Sequence, residues 1–294
     1  MISIYVISFY KFRHTMKCLA SIKGHIRSRY EVILIENCSA TPEQWRKFEE
    51  LQAQWPALKI IRLDRQHPCP WIRARVLDHA TGEYIFFMDN DCFVENDPFP
   101  TLVSELENDQ QTAGISPALL YFPSRRLQCL GIRMNFFEDN LFEPRHLCHD
   151  EPYELHWERR PFYSDFIPGG CSLFRRNFLE QCTYDPRLKN VFGDFDLCLQ
   201  GRGRGWRYKF HPGCYLMHDK TAHSTRYLKA KGQLTDWLGS VQLFEKKWGL
   251  RYFILKHIKM GRVVLDQNNF PRWLPREEWP ENRGQQGKGA SPGN

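Results

Sequence analysis

The chain has 294 residues, 42% of them hydrophobic and 26% charged, an ordinary balance for a soluble globular protein with a substantial core. No stretch approaches the ~18 apolar residues of a membrane span, and the apolar start Met1–Ser8 lacks a basic leader and a cleavage site, so a spanning segment and a signal peptide are not expected. The formal charge of +7 is uneven: residues 220–294 carry 14 Lys and Arg against 6 Asp and Glu, leaving 27 against 28 in the first 219. That asymmetry fits either an anionic partner near the C-terminus or a solvated basic helix face. With no stacking-platform motif in the chain, it does not favour nucleic acid.

Strands and helices alternate through the first hundred residues. Ile2–Ser8 reads as a strand, Phe12–Ile26 as a helix, Glu31–Ile35 as a second strand, and a helix starts near Pro42, a proline suited to a first turn. Leu58–Leu63 reads as a third strand, Trp71–Ala80 as a helix and Glu83–Met88 as a fourth strand. Repeated βαβ units predict a mainly parallel sheet with helices on both faces. Further on, the pattern predicts a helix over Phe99–Asn108, strands over Ala113–Leu120, Phe166–Arg175 and Trp206–Phe210, and helices over Asp194–Gly203 and Leu234–Lys247. Leu127–Trp157 has no clear period and reads as a pocket-shaping insertion or loop. Beyond Pro271 the Gly, Pro, Gln and charge content predicts a disordered tail. Ten cysteines without a CxxC pair or zinc spacing, among them Cys171 and Cys198, read as reduced core residues, which favours the cytoplasm.

The densest chemistry lies at Asp89-Asn90-Asp91, directly after the apolar run Tyr84–Met88. Carboxylates leaving a buried strand at its carboxyl end stand where open α/β sheets bind ligands, and a hard divalent cation on a diphosphate would offset their desolvation. Caps and turns use the same residues. Glu36-Asn37-Cys38-Ser39 ends the second strand and offers acceptors to a nucleoside. Arg73 or Arg75 is placed to face a diphosphate. Gly169-Gly170 lets backbone approach a ligand or simply makes a turn. Asp194, opening a helix, suits a carboxylate base or a cap. His218, after an apolar strand, offers an imidazole to a metal or plays a structural part.

In their order and spacing these elements resemble the family 2 glycosyltransferases of GT-A fold. The resemblance runs over about residues 2–250 through Glu36–Ser39, Arg73, Gly82-Glu83-Tyr84, Asp89–Asp91, Gly169-Gly170, Arg175-Arg176, Asp194–Leu197, Gly205-Trp206-Arg207, His218 and Phe244–Gly249. It implies a GT-A domain over 1–250, with a nucleotide-sugar half over about 1–100 and an acceptor and metal half over about 101–225. A basic helical extension over 251–270 and a disordered tail over 271–294 would follow. It further implies an inverting transfer from a nucleotide-diphosphate sugar, a UDP-sugar first, to an acceptor hydroxyl of a glycan, lipid-linked or small molecule. Asp91, His218 and Asp89 would then be contacts of Mn²⁺ or Mg²⁺. Ser8, Glu36, Arg73, Asp89, Asn90, Gly169 and Gly170 would contact the donor, and Asp194 would be the base. Three departures stand out: Glu36 where the family has Asp, Ile72-Arg73-Ala74 for Ala-Arg-Asn, and Gly193 for the Glu before the catalytic Asp. Asp196 is the fallback base. The alternatives are a non-catalytic module of the same fold, which Gly193 keeps open, and a nucleotidyltransferase, which usually has glycine where Ser8–Lys11 has none. Trp237–Leu265, with Lys246, Lys247, Arg251, Lys256, Lys259 and Arg262, predicts peripheral contact with an anionic inner membrane face, or a helix with a basic exterior.

Overall fold

The computed structural model describes residues 1–221, 225–265 and 271–280. Its first half is the expected alternation. Strand β1 (Ile2–Ser8) is followed by α1 (Phe12–His25), which buries Thr15, Cys18, Leu19 and Ile22 at the spacing of one helical face. Strand β2 (Tyr30–Glu36) leads into α2 (Pro42–Ala53), started by a reciprocal capping box between Thr41 and Gln44, and then β3 (Leu58–Arg62).

The expected helix over Trp71–Ala80 breaks into α3 (Cys69–Arg73) and a 3₁₀ turn at Val76–Asp78. The amides of Arg75 and Asp78 bond three residues back, to Ile72 and Arg75. That tightening turns Val76 and Ala80 into the core while Arg73 faces the strand ends. Strand β4 (Tyr84–Asp89) then runs parallel to β1, with Asp89 beside Ile7.

The second half continues with β5 (Cys92–Phe93), α4 (Phe99–Glu107), β6 (Thr112–Tyr121) and β7 (Leu127–Cys129). The aperiodic insertion is an ordered hairpin, β8 (Ile132–Phe136) with β9 (Leu141–His146), in a sheet of its own. After β10 (Phe162–Ser164), the expected long strand shrinks to β11 (Cys171–Arg175), because Phe166–Gly170 is loop. Pro168 has no donor for a ladder there. Next come α5 (Arg176–Gln181), α6 (Gly193–Arg202) and β12 (Arg207–His218), which extends the predicted strand as far as His218.

The single helix expected over Leu234–Lys247 is two, α7 (Thr225–Leu234) and α8 (Trp237–Trp248). Asp236 divides them by accepting the Gly239 amide at 2.9 Å. The stretch after residue 250 holds β13 (Arg251–Tyr252), the seven-residue α9 (Phe253–Lys259) and β14 (Val263–Leu265), not one continuous helix. In the region expected as a tail, β15 (Pro271–Trp273) and a 3₁₀ turn at Arg276–Glu278 form. The remainder of that expectation, 281–294, lies outside the described residues.

The large sheet has the order β10-β12-β6-β11-β4-β1-β2-β3. Strands β4, β1, β2 and β3 are parallel; β11 is antiparallel to both β4 and β6, and β12 is parallel to β6. The sheet is therefore mixed. Where the direction changes, the ends of β4 and β12 come together through β5, which pairs Cys92 with His218.

Candidate active site

A cavity of about 460 Å³ opens at those strand ends, lined by Arg73, Asp89, Asn90, Asp91, Asp194 and His218 among others. Residues separated by more than a hundred positions thus share one wall. Asp91 is buried, and its Oδ2 lies 2.6 Å from Lys11 Nζ and 3.3 Å from His218 Nε2. Burial by itself would raise its pKa. The His218 and Lys11 contacts outweigh burial and hold the carboxyl well below its usual range. On its other side His218 meets Gln128 Oε1 at 2.6 Å through Nδ1. With Nδ1–H donating to that amide oxygen, Nε2 is the ring nitrogen turned toward Asp91.

Across the cavity Arg73 is a clasp. Its guanidinium is 3.0 Å from Asp89 Oδ1 and 3.3 Å from Asp194 Oδ1, and it packs between the rings of Phe87 and Tyr184. Asp194 Oδ1 also accepts from the Tyr184 hydroxyl at 3.2 Å. Oδ2 carries no protein hydrogen bond among the described residues. The paired glycines serve this clasp. A Cβ on Gly169 would collide with Asp194, Arg73 and Tyr184, and one on Gly170 with the Asp89 carboxylate. The close approach expected of them is to the acidic side chains.

Four of the expected donor contacts lie outside the cavity lining: Ser8, Glu36, Gly169 and Gly170. Ser8 is buried and shares a 3.0 Å hydrogen bond with Thr15, whose hydroxyl also accepts from Asn90 at 2.9 Å. Glu36 is fully buried, with Oε1 accepting from Ser39 and Ala40 at 2.7–2.8 Å, so it shapes the loop after β2. Asn37 lines the cavity in its place, locked to the His67 backbone by two hydrogen bonds at 2.8–2.9 Å. His67, which also lines the cavity, is backed by Trp71, outside the lining, with the two rings stacked at 3.6 Å.

Asp196, the fallback base, is fully buried against Lys247 at 2.6 Å and Trp248 Nε1 at 2.9 Å. It ties α8 to α6 and does not reach the cavity. The same contact gives Lys247 and Trp248, at the end of α8, a structural part. Arg175 and Arg176 are likewise structural, donating to backbone carbonyls of Thr112 and of Ala80.

Sequence reasoning missed Lys11, His67, Gln128 and Tyr227 as members of the site, and it named Asn37 only as part of the Glu36–Ser39 loop. Lys11 carried a faint signal, being the first cation after the first strand. Gln128 carried none, because it sits in the stretch without a period.

The donor set at Asp91 fits a divalent cation. Asp91, Cys92 and His218 are one of two groupings of this kind among the described residues. Burial raises the Cys92 thiol far above its usual range, which leaves a carboxylate and an imidazole as the protein's offer. Lys11 now neutralises that carboxylate, so a cation entering there would compete with an ammonium.

Sequence and fold both match known proteins. The family model for glycosyl transferase family 2 matches residues 3–183. The O-antigen biosynthesis protein RfbC of Myxococcus xanthus is 26% identical over 202 residues, covering 66% of this chain and 15% of the relative. The SPbeta prophage-derived glycosyltransferase SunS of Bacillus subtilis is 20% identical, covering 90% of this chain and 59% of the relative. The chain thus spans little more than half, or less, of these relatives. Among solved structures, GalNAc-T7 with UDP, GalNAc and Mn²⁺ superposes with a TM-score of 0.62 at 17% identity, over 89% of this chain and 56% of that one. Staphylococcus aureus TarS with UDP-GlcNAc gives 0.54 at 12% identity, over 85% and 73%. These likenesses fix the fold as GT-A. With its family model matched over most of its length, the chain belongs to glycosyl transferase family 2.

Proposed function

We propose that the protein transfers a sugar, with inversion, from a nucleotide diphosphate (UDP first) to an acceptor hydroxyl. The observation that carries this reading is the meeting of two unlike halves in one cavity: a cation-binding pair, Asp91 with His218, and a carboxylate with a free oxygen, Asp194. Asp91 Oδ2 and His218 Nε2 would hold the cation, and Asp89, clasped by Arg73, would support the donor. An imidazole beside a carboxylate favours Mn²⁺ over the strictly oxygen-seeking Mg²⁺. When bound, the cation neutralises charge on the departing diphosphate.

The remaining work falls to the chain. The Asn37–His67 wall, backed by Trp71, would take the base, and UDP in two solved relatives of the fold supports that nucleotide. Arg73 and Tyr184 hold Asp194 by Oδ1, leaving Oδ2 to accept the proton of the attacking hydroxyl. The hydroxyl oxygen forms the new bond to the anomeric carbon as the bond to the diphosphate breaks. A single displacement inverts that centre, and the proton rests on Asp194. The exposed Lys246, Lys256 and Lys259 support peripheral contact with an anionic surface, which flotation with phosphatidylglycerol vesicles tests.

A panel of nucleotide-sugars incubated with Mn²⁺ and with chelator, with the product anomer read by proton NMR, tests the chemistry. Inverted product or inverted free sugar, formed only with the metal, is the expected result. Retention, or equal turnover in chelator, overturns it. Donor binding without turnover would indicate a binding module.

A further inference from the structure

A second cavity, of about 390 Å³, lies on the β8–β9 hairpin and is lined by Arg133, Asn135, Arg145, His146, His149 and Glu151 among others. Arg133 and Arg145 stand opposite each other across the ladder, so their side chains share a face. Both are exposed, and neither has an ion pair or side-chain hydrogen bond among the described residues. Like charges placed directly opposite on a sheet destabilise it unless something compensates.

The nearby acids do not compensate. Glu151 is bound to His156 at 2.7 Å, Asp150 is paired with Arg126 at 2.9 Å, and Glu143 forms no ion pair with either arginine. The His146 imidazole is pushed below its ordinary value, first by the protein packed around it and then by His149 and Lys220.

This cavity adjoins the active site. The His146 ring lies beside the backbone of Gln128, whose side chain holds His218 at 2.6 Å. His149 meets the Tyr121 hydroxyl at 3.2 Å, and Lys220, which lines the first cavity, lies over the Tyr121 ring. A row of cationic and imidazole groups therefore runs from the cation-binding wall to the hairpin.

We infer that this second cavity binds a phosphate group, as a mono- or diester, carried by the acceptor. Two guanidinium forks and two imidazoles arranged around a cavity match an oxyanion with three or four acceptor oxygens better than a two-oxygen carboxylate. The inference rests on the proposed sugar transfer, because it names the class of acceptor for that same site.

The test uses the full chain saturated with UDP and Mg²⁺, so that the donor site is filled. Sodium phosphate is titrated at constant ionic strength, following the melting temperature and the imidazole Cε1–H signals of His146 and His149. A saturable shift is expected, weakened on the order of tenfold in Arg133→Gln with Arg145→Gln. These variants remove exposed charges that oppose each other and keep the fold. No shift with phosphate, or the same shift in the double variant, overturns the inference. Sedimentation with phosphatidylglycerol vesicles separates the sources: vesicle binding lost in the double variant marks a lipid headgroup, and phosphate binding without it marks a soluble acceptor. Either supports the pocket. The UDP-induced rise in melting temperature is recorded separately; its absence would fault the sugar-transfer reading, whereas its presence with no phosphate response faults this inference alone.

Discussion

Replacing Lys11 by Met removes one charge from the candidate cation site and nearly keeps the side-chain volume. In the wild type the Lys11 and Asp91 side chains are 4% and 9% exposed and meet at 2.6 Å. Breaking a buried pair by deleting one partner costs about 3–5 kcal/mol. His218 stays 3.3 Å from the same oxygen and offsets part of that, leaving roughly 2–4 kcal/mol as an order-of-magnitude loss. In a chain of this size such a loss lowers the melting temperature by roughly 3–7 °C. Mn²⁺ should restore more stability to Lys11→Met than it adds to the wild type, because the ammonium no longer competes for Asp91. Differential scanning calorimetry with Mn²⁺ and with chelator reads both effects. A melting temperature unchanged by the substitution, or a Mn²⁺ shift no larger than in the wild type, would refute the reasoning.

Three further outcomes follow from the same geometry. Asp194→Asn should lower kcat by about 10²–10⁴-fold with UDP affinity retained, since only proton acceptance is lost; unchanged turnover would remove Asp194 as the base. Gly170→Ala drives a methyl group into the Asp89 carboxylate, so urea unfolding should show a loss of about 1–3 kcal/mol together with weaker UDP binding; a variant equal to wild type in both would discount the clasp. Asp185 is held down at about 2, chiefly by its hydrogen bond to Arg187 against the cost of burial, with Lys247 adding to the effect. A depressed carboxyl contributes stability above its ordinary value of about 4 and loses it as pH falls toward about 2. Asp185→Asn should therefore flatten part of the acid limb of a urea-midpoint profile across that window, and an unaltered limb would show the group to be unshifted.

The sheet of the first ninety residues was legible because buried parallel strands are continuous apolar runs, and β1, β2 and β4 read that way. The site was legible where acids follow such runs, as at Asp89 and Asp91, or open a helix, as at Asp194. What escaped depends on tertiary partners. Arg73 looked like a phosphate ligand by position, yet it spans two carboxylates from β4 and α6. Glu36 looked like a ligand because it ends a strand, but a carboxylate there can turn back and satisfy its own loop. Asp196 and Asp194 lie two residues apart in sequence, and only the placement of Lys247 and Trp248 shows which is buried. The hairpin at residues 132–146 was unreadable because its strands alternate weakly and pair with each other and with distant Arg251 and Tyr252.

The interdependence of nucleotide and cation tests the central claim most directly. Calorimetric titration of UDP should give strong binding with Mn²⁺ and weak binding in chelator, and Asp91→Asn or His218→Ala should abolish the difference. UDP affinity that is equal with and without the metal, or a metal effect that survives both substitutions, would contradict the account.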